Sequence, residues 1–201
     1  MKKRISKFSL IEILTVVAII GILAGIGLGV TSFVANRNKE VQTQATIKIL
    51  EMVLEQHKSK YGAYPALTGK PDNDLDKTVN GENRRVFKIP ASRSSNEKIH
   101  VLFNDITYNS SNEITAIKGM NIVKDGTDII ILDGWESPIL YVYPGVFNKT
   151  KFDLGSAGAD KKIGENGTKF TKTTCPALGS RTSGAYKDHF GKADDITNFK
   201  R

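Results

Sequence analysis

Cysteine is all but missing from this chain of 201 residues: Cys175 stands alone, which excludes an intramolecular disulfide and a zinc site built on several thiolates. Histidine is nearly as scarce. His57, His100 and His189 are far apart and lack the His-x-x-x-His spacing that puts two imidazoles on one helical face, so they read as surface or hydrogen-bonded residues. No Gly-x-x-x-x-Gly-Lys-Ser/Thr loop, Gly-x-Ser-x-Gly elbow or His-Glu-x-x-His helix occurs, and the sequence carries no case for an enzyme. A dense basic stripe is also lacking. The net charge is +8, but Lys2, Lys3, Arg4 and Lys7 hold four of the positive charges, and without them 25 basic residues face 21 acidic ones. Nucleic-acid binding is therefore not expected of the remainder.

What is present is one long apolar stretch, Phe8 to Ala35, FSLIEILTVVAIIGILAGIGLGVTSFVA. The twenty-four residues between Glu12 and Arg37 carry no charge. As a helix they would extend about 36 Å at about 1.5 Å per residue, against a bilayer core of about 30 Å. The cations before the stretch are the positive-inside signal for a cytoplasmic N-terminus. The stretch is longer than the apolar part of a secretory signal peptide, and Glu12 near its start argues for a retained helix. An intramembrane carboxylate costs about 2.5 to 3.5 kcal/mol and needs a partner. Gly21, Gly25 and Gly29 recur every four residues and would allow a neighbouring helix to approach closely.

Beyond Asn36 the chain turns polar while helical periodicity continues. Leu50, Leu54, His57 and Tyr61 fall on one line, flanked by Ala45, Ile49, Met52 and Val53, with Gly62 and Pro65 as the stop. From Gly62 to about Gly126 the signals are weak; Val86–Ile89, His100–Phe103 and Ile114–Ile117 could each be a strand or a single turn. Ile129–Leu132 and Ile139–Tyr143, separated by the turn-rich DGWESP, and Lys151–Leu154 read as a small antiparallel sheet. Residues 155–192 are rich in Gly, Lys, Ser and Thr and read mostly as loop. The expected organisation is a basic leader (1–7), a transmembrane or filament-core helix (8–35), an amphipathic continuation (36–61) and one soluble head (62–201).

The order of basic leader, Phe8-Ser-Leu-Ile-Glu12 and long apolar helix resembles the class III signal of type IV pilins and type II secretion pseudopilins. Three further stretches resemble major pseudopilins, in that family's order: Tyr61-Gly-Ala-Tyr-Pro-Ala-Leu67, Asp133-Gly-Trp-Glu-Ser-Pro138, and Phe152-Asp-Leu-Gly-Ser-Ala-Gly-Ala-Asp160 with the closing pair Asp194-Asp195. The resemblance implies cleavage by a prepilin peptidase between Lys7 and Phe8, N-methylation of Phe8, and an assembly role for Glu12 as partner of a neighbouring subunit's Phe8 amine. Lys7 departs from the glycine usual before the cut, and Gly134 and Glu136 replace residues of the family's turn. The resemblance also implies a calcium site on Asp160, Asp194 and Asp195, with carbonyls near Leu154 and Ser156. Calcium takes six to eight oxygens, which such a set would help supply.

The expected fold is then α+β, a pilin fold: a long N-terminal helix with a membrane half and a head half, packed on a small antiparallel sheet with a loop-rich C-terminus. The implied function is a structural subunit of a pilus-like filament, the major pseudopilin of a type II secretion system. Its implied partners are copies of itself, the peptidase, an inner-membrane assembly platform and minor pseudopilins. Its implied location is the bacterial inner membrane, with the head periplasmic, and afterwards a periplasmic or surface filament. The alternatives are a subunit of a surface type IV pilus and a monomeric, membrane-anchored periplasmic binding module.

Overall fold

A computed structural model describes residues 9–65, 86–95, 97–163, 169–172, 191 and 194–199, apart from the side chains of 24 and 26–32. The chain divides into two compact units, Met1–Asn38 and Lys39–Arg201. Helix α1 (Leu10–Tyr61) runs through the boundary, so each unit holds part of it.

In the first unit, α1 starts from Ser9. The Ser9 carbonyl accepts from the amides of Glu12 (3.0 Å) and Ile13 (3.3 Å), and the Glu12 carboxylate accepts from the Ser9 amide at 2.8 Å. Spacing and geometry are those of the carboxylate half of a capping box, with an acid in the first turn where the helix dipole favours it. Every described side chain from Leu10 to Leu23 is exposed, Leu10 at 80% and Leu23 at 63%. Among the described residues, no helix is long and apolar enough to cross a membrane.

The second unit opens with the helical residues 39–61. These bury Thr43, Thr46, Ile47, Leu50, Val53 and Leu54, a three-and-four spacing that gives one covered face. The buried stripe runs further toward the N-terminus than the sequence suggests, through two threonines. They tolerate burial because their hydroxyls donate to the carbonyls of Lys39 (2.8 Å) and Gln42 (3.0 Å) one turn back. Met52, placed by periodicity beside the stripe, is 56% exposed, and Ala45 is exposed. The helix stops at Gly62, whose φ of +82° suits glycine and whose amide closes the last turn on the Lys58 carbonyl at 2.8 Å.

Eight short strands follow among the described residues: β1 (Lys88–Pro90), β2 (Ile106–Tyr108), β3 (Ile114–Ile117), β4 (Asn121–Asp125), β5 (Asp128–Leu132), β6 (Leu140–Val142), β7 (Asp153–Ser156) and β8 (Ile196–Thr197). A four-residue helix α2 (Glu97–His100) lies between β1 and β2. The strands pair antiparallel as three sheets, ordered β1-β5-β4, β2-β3 and β6-β7-β8. Strand β5 is central and buried on both faces. Ile129 and Ile131 join the core formed with Leu50, Leu54, Phe87 and Phe152, while Ile130 and Leu132 join a second core with Val86, Leu140 and Phe170.

The pilin fold expected from the sequence is therefore corrected. Taken by itself, the second unit is α+β with a short N-terminal helical segment, 39–61, and, in place of a single small sheet, a larger antiparallel region in three sheets among the described residues. The physical reason lies in packing. Residues 10–23 are helical but have no apolar face covered by their own unit, so the packing that stabilises a helix falls to residues 39–61. On the sheet side, several strands have two to five residues and show no clean alternation, so the runs legible in sequence are only part of the strand set.

Candidate functional site

Two regions hold the residues singled out from sequence. At the N-terminus, Lys7 and Phe8 lie outside the described residues, as does the rest of the leader. Glu12 is described, and its partner is the Ser9 amide of its own chain. A carboxylate so engaged is held at the start of the helix, on a surface otherwise made of Leu10, Ile11, Ile13 and Leu14.

The second region is the turn Asp133–Pro138 with the strand end at Ser156. Asp133 is buried, and its Oδ1 accepts from the amides of Trp135 and Ser137, both at 2.8 Å. Its Oδ2 accepts from the Ser156 hydroxyl at 2.6 Å. Burial pushes the Asp133 carboxyl above the usual carboxylate range, opposed by the bonds from Ser156, Ser137 and Trp135. The turn is seated on the helix. The Gly134 amide donates to Thr43 Oγ1 at 2.9 Å, and Asn121 donates to the Asp133 carbonyl at 3.2 Å while accepting from Gln42 at 3.2 Å. A Cβ at Gly134 would stand 2.7 Å from the Lys39 Cα and 2.8 Å from its carbonyl carbon, so only glycine lets the two backbones approach this closely. Glu136 takes the left-handed conformation, at φ 64°. Trp135 Nε1 and Ser137 Oγ are buried without a hydrogen-bond partner among the described residues.

Comparison with family models, curated proteins and solved structures gives no match. The chemistry of the site must come from its own geometry.

Of the residues expected to ligate calcium, the structure brings Asp160 and Asp194 together: the Asp160 amide donates to Asp194 Oδ2 at 2.9 Å. Asp160 Oδ1 accepts from the Lys162 amide at 2.7 Å, and Asp195 Oδ2 accepts from the Gly191 amide at 3.1 Å. Gly158, at φ 66°, sits against Asp194, where a Cβ would lie 2.7 Å from Oδ2. The Leu154 amide donates to Asn198 Oδ1 (2.7 Å), its carbonyl accepts from the Asn198 amide (3.1 Å), and Ser156 serves Asp133. Among the described residues, no group of three or more His, Cys, Asp or Glu side chains is placed to hold a metal ion. Most of the 161–192 stretch lies outside the described residues.

Sequence reasoning missed Thr43 and Asp153. Asp153 is fully buried, and its carboxylate accepts from the amides of Val146 (2.7 Å), Phe147 (3.0 Å) and Asn148 (2.8 Å), which shapes the loop before β7. Strand alternation sets Asp153 opposite Phe152 and Leu154, where the sequence reads as a solvent face, so its burial was not legible.

Proposed function

We propose that this chain is a structural subunit of a pilus-like filament, most similar in role to the major pseudopilin of type II secretion. A prepilin peptidase cuts it between Lys7 and Phe8, and it polymerises through its N-terminal helical residues. The observation that carries this reading is the first unit itself: residues 10–23 expose apolar side chains on every side around a single carboxylate. A surface of that kind is stable only in lipid or against other apolar helices. The same stretch serves both: before assembly it is held in the inner membrane, N-terminus cytoplasmic and head periplasmic, and afterwards it packs among its copies. The amine freed at Phe8 on a neighbouring subunit gives Glu12 a cationic partner in place of the Ser9 amide.

The test is expression of the full chain with its own peptidase, followed by intact mass and electron microscopy. The mature chain should begin at Phe8, and Glu12→Ala should abolish filaments while the subunit still accumulates in the membrane fraction. Filaments of normal length from Glu12→Ala, or a chain still beginning at Met1, overturn the reading. A monomeric anchored binding module would be indifferent to the substitution.

A further inference from the structure

Strands β1 and β2 and helix α2 meet on one imidazole. His100, the last residue of α2, is 2% exposed. Its Nε2 lies 2.7 Å from the Pro90 carbonyl oxygen at the end of β1, and its Nδ1 lies 3.2 Å from the Tyr108 hydroxyl in β2. A carbonyl can only accept, so Nε2 carries the hydrogen, and Nδ1 is left to accept from the Tyr108 O–H. One neutral tautomer satisfies both contacts. The two rings stack with centroids 6.0 Å apart at 23°.

Among the described residues, the charged groups facing this pair are few. From the 3-10 turn Arg93–Ser95, the Arg93 guanidinium lies 5.9 Å from the centre of the Tyr108 ring and donates to Glu97 of α2 at 3.2 Å. Strand β1 contributes the Pro90 carbonyl, and β2 the Tyr108 hydroxyl, whose own acidity burial weakens. Burial is also the main influence on His100 and holds its pKa below the ordinary value. The Arg93 charge adds to this, while the Pro90 carbonyl and Glu97 oppose it.

We propose that His100 is an acid-sensitive latch: the neutral ring pins α2 to β1 and β2, and protonation releases the segment 97–108 while the β1-β5-β4 sheet stays folded. Segment 97–108 buries Ile99 and Phe103 in the main core, which opposes release, but its main-chain pairing is the sparsest around the latch. Four helical residues are far too few to persist alone, and β2-β3 is a separate two-stranded ribbon of marginal independent stability. Strand β5, by contrast, is paired on both edges and covered on both faces. Leu102 and Phe103, just beyond the latch, line a cavity of about 300 Å³ with Ile49, Met52 and Val53 of the helix. Release removes one wall of that cavity and bares its apolar lining.

The direction follows from linkage. The opened segment takes up a proton at about the ordinary pKa of 6.5, and the closed one only at lower pH. Opening is therefore favoured as pH falls through about 6.5 toward the folded value, by about tenfold for each unit that separates the two.

The test is amide hydrogen exchange on the full chain in detergent micelles from about pH 7.5 to 4.5, corrected for intrinsic exchange. Protection of residues 97–108 should fall relative to β5 as the pH drops, in wild type and in a His57→Gln control. In His100→Gln the side-chain amide still donates to Pro90 but takes up no proton, so the ratio should stay flat. A flat ratio in wild type, or an equal fall in His100→Gln, overturns the latch. Should His100→Gln fail to fold, the ring's own titration by NMR in wild type decides: an apparent pKa below about 6.5 supports the proposal, and one at or above it overturns it.

Discussion

Replacing Gly134 by alanine tests the seating of the Asp133 turn on the helix with a single methyl group. The new Cβ would fall 2.7 Å from the Lys39 Cα and 2.8 Å from its carbonyl carbon, both backbone atoms. Carbon atoms rest comfortably at about 3.5–4.0 Å, so the turn must retreat by about 1 Å. Two costs follow. Overpacking of this kind costs about 1–3 kcal/mol, and the Gly134 amide, drawn off its 2.9 Å bond to Thr43, loses about 1–3 kcal/mol more if it stays dry. The expected loss of about 2–6 kcal/mol, at about 2–4 °C per kcal/mol for a unit of this size, lowers the melting midpoint by roughly 4–24 °C. Thermal unfolding of the full chain in micelles, followed by fluorescence of Trp135, the sole tryptophan, measures it. Thr43→Ala supplies the second arm of a double-mutant cycle. Because Gly134→Ala already breaks the Thr43 bond, the two losses should fall short of additive by about 1 kcal/mol. A Gly134→Ala midpoint within about 1 °C of wild type, or strictly additive losses, would refute the argument.

Three shorter predictions concern neighbouring residues. Asp153→Ala removes the acceptor for three backbone amides and should cost about 3–5 kcal/mol, read as a lower denaturant midpoint with an unchanged slope; a loss below about 1 kcal/mol would mean that the loop holds its shape without the carboxylate. Burial raises the Asp133 carboxyl's pKa, so the folded state binds that proton more tightly than the unfolded state, and the residue's contribution to stability declines as pH rises from about 3.9 through the folded value. Asp133→Asn should flatten that part of the profile in chemical denaturation at a series of pH values, and parallel profiles for the two proteins would sink the assignment. Ser137→Ala removes a buried hydroxyl without a partner among the described residues, so the stability from chemical denaturation should stay level or rise by up to about 1 kcal/mol.

The strand most legible in the sequence was the run of β-branched residues at Ile129–Leu132, whereas Ile114–Ile117, which reads as a strand or a single turn, proves to be β3. Strand β4 escaped because its residues are mostly half-buried and mix Asn, Lys and Asp with Ile and Val, and β8 has only two residues. His100–Phe103 could be read from sequence as strand or turn; it is the end of α2 and the turn after it, because His100 is turned inward to bond Pro90. How the strands divide into three sheets depends on long-range pairings such as Lys88 with Ile130, which local periodicity does not encode. The Asp133 turn was visible as a motif, yet its chemistry was not. Gly134, read as a departure from a family pattern, is the point where the backbone touches the helix, and its partner Thr43 lies ninety-one residues away. At the N-terminus Ser9 and Glu12 were both in view, but the bond between them emerges only from the helix's own start.

Strand β5 lies between two cores, and its alternating side chains serve them in turn: Ile129 and Ile131 on one side, Ile130 and Leu132 on the other. Chain length within it is therefore fixed in a way that residue identity is not. One residue inserted or deleted inside Ile129–Leu132 would send each downstream isoleucine to the opposite core and displace the partners on both edges at once. The two-residue turn at Gly126-Thr127, with Gly126 at φ 60°, can lengthen without exchanging those faces. Length variation in this part of the head is thus confined to its turns, and a tag or a cross-linking residue belongs there too.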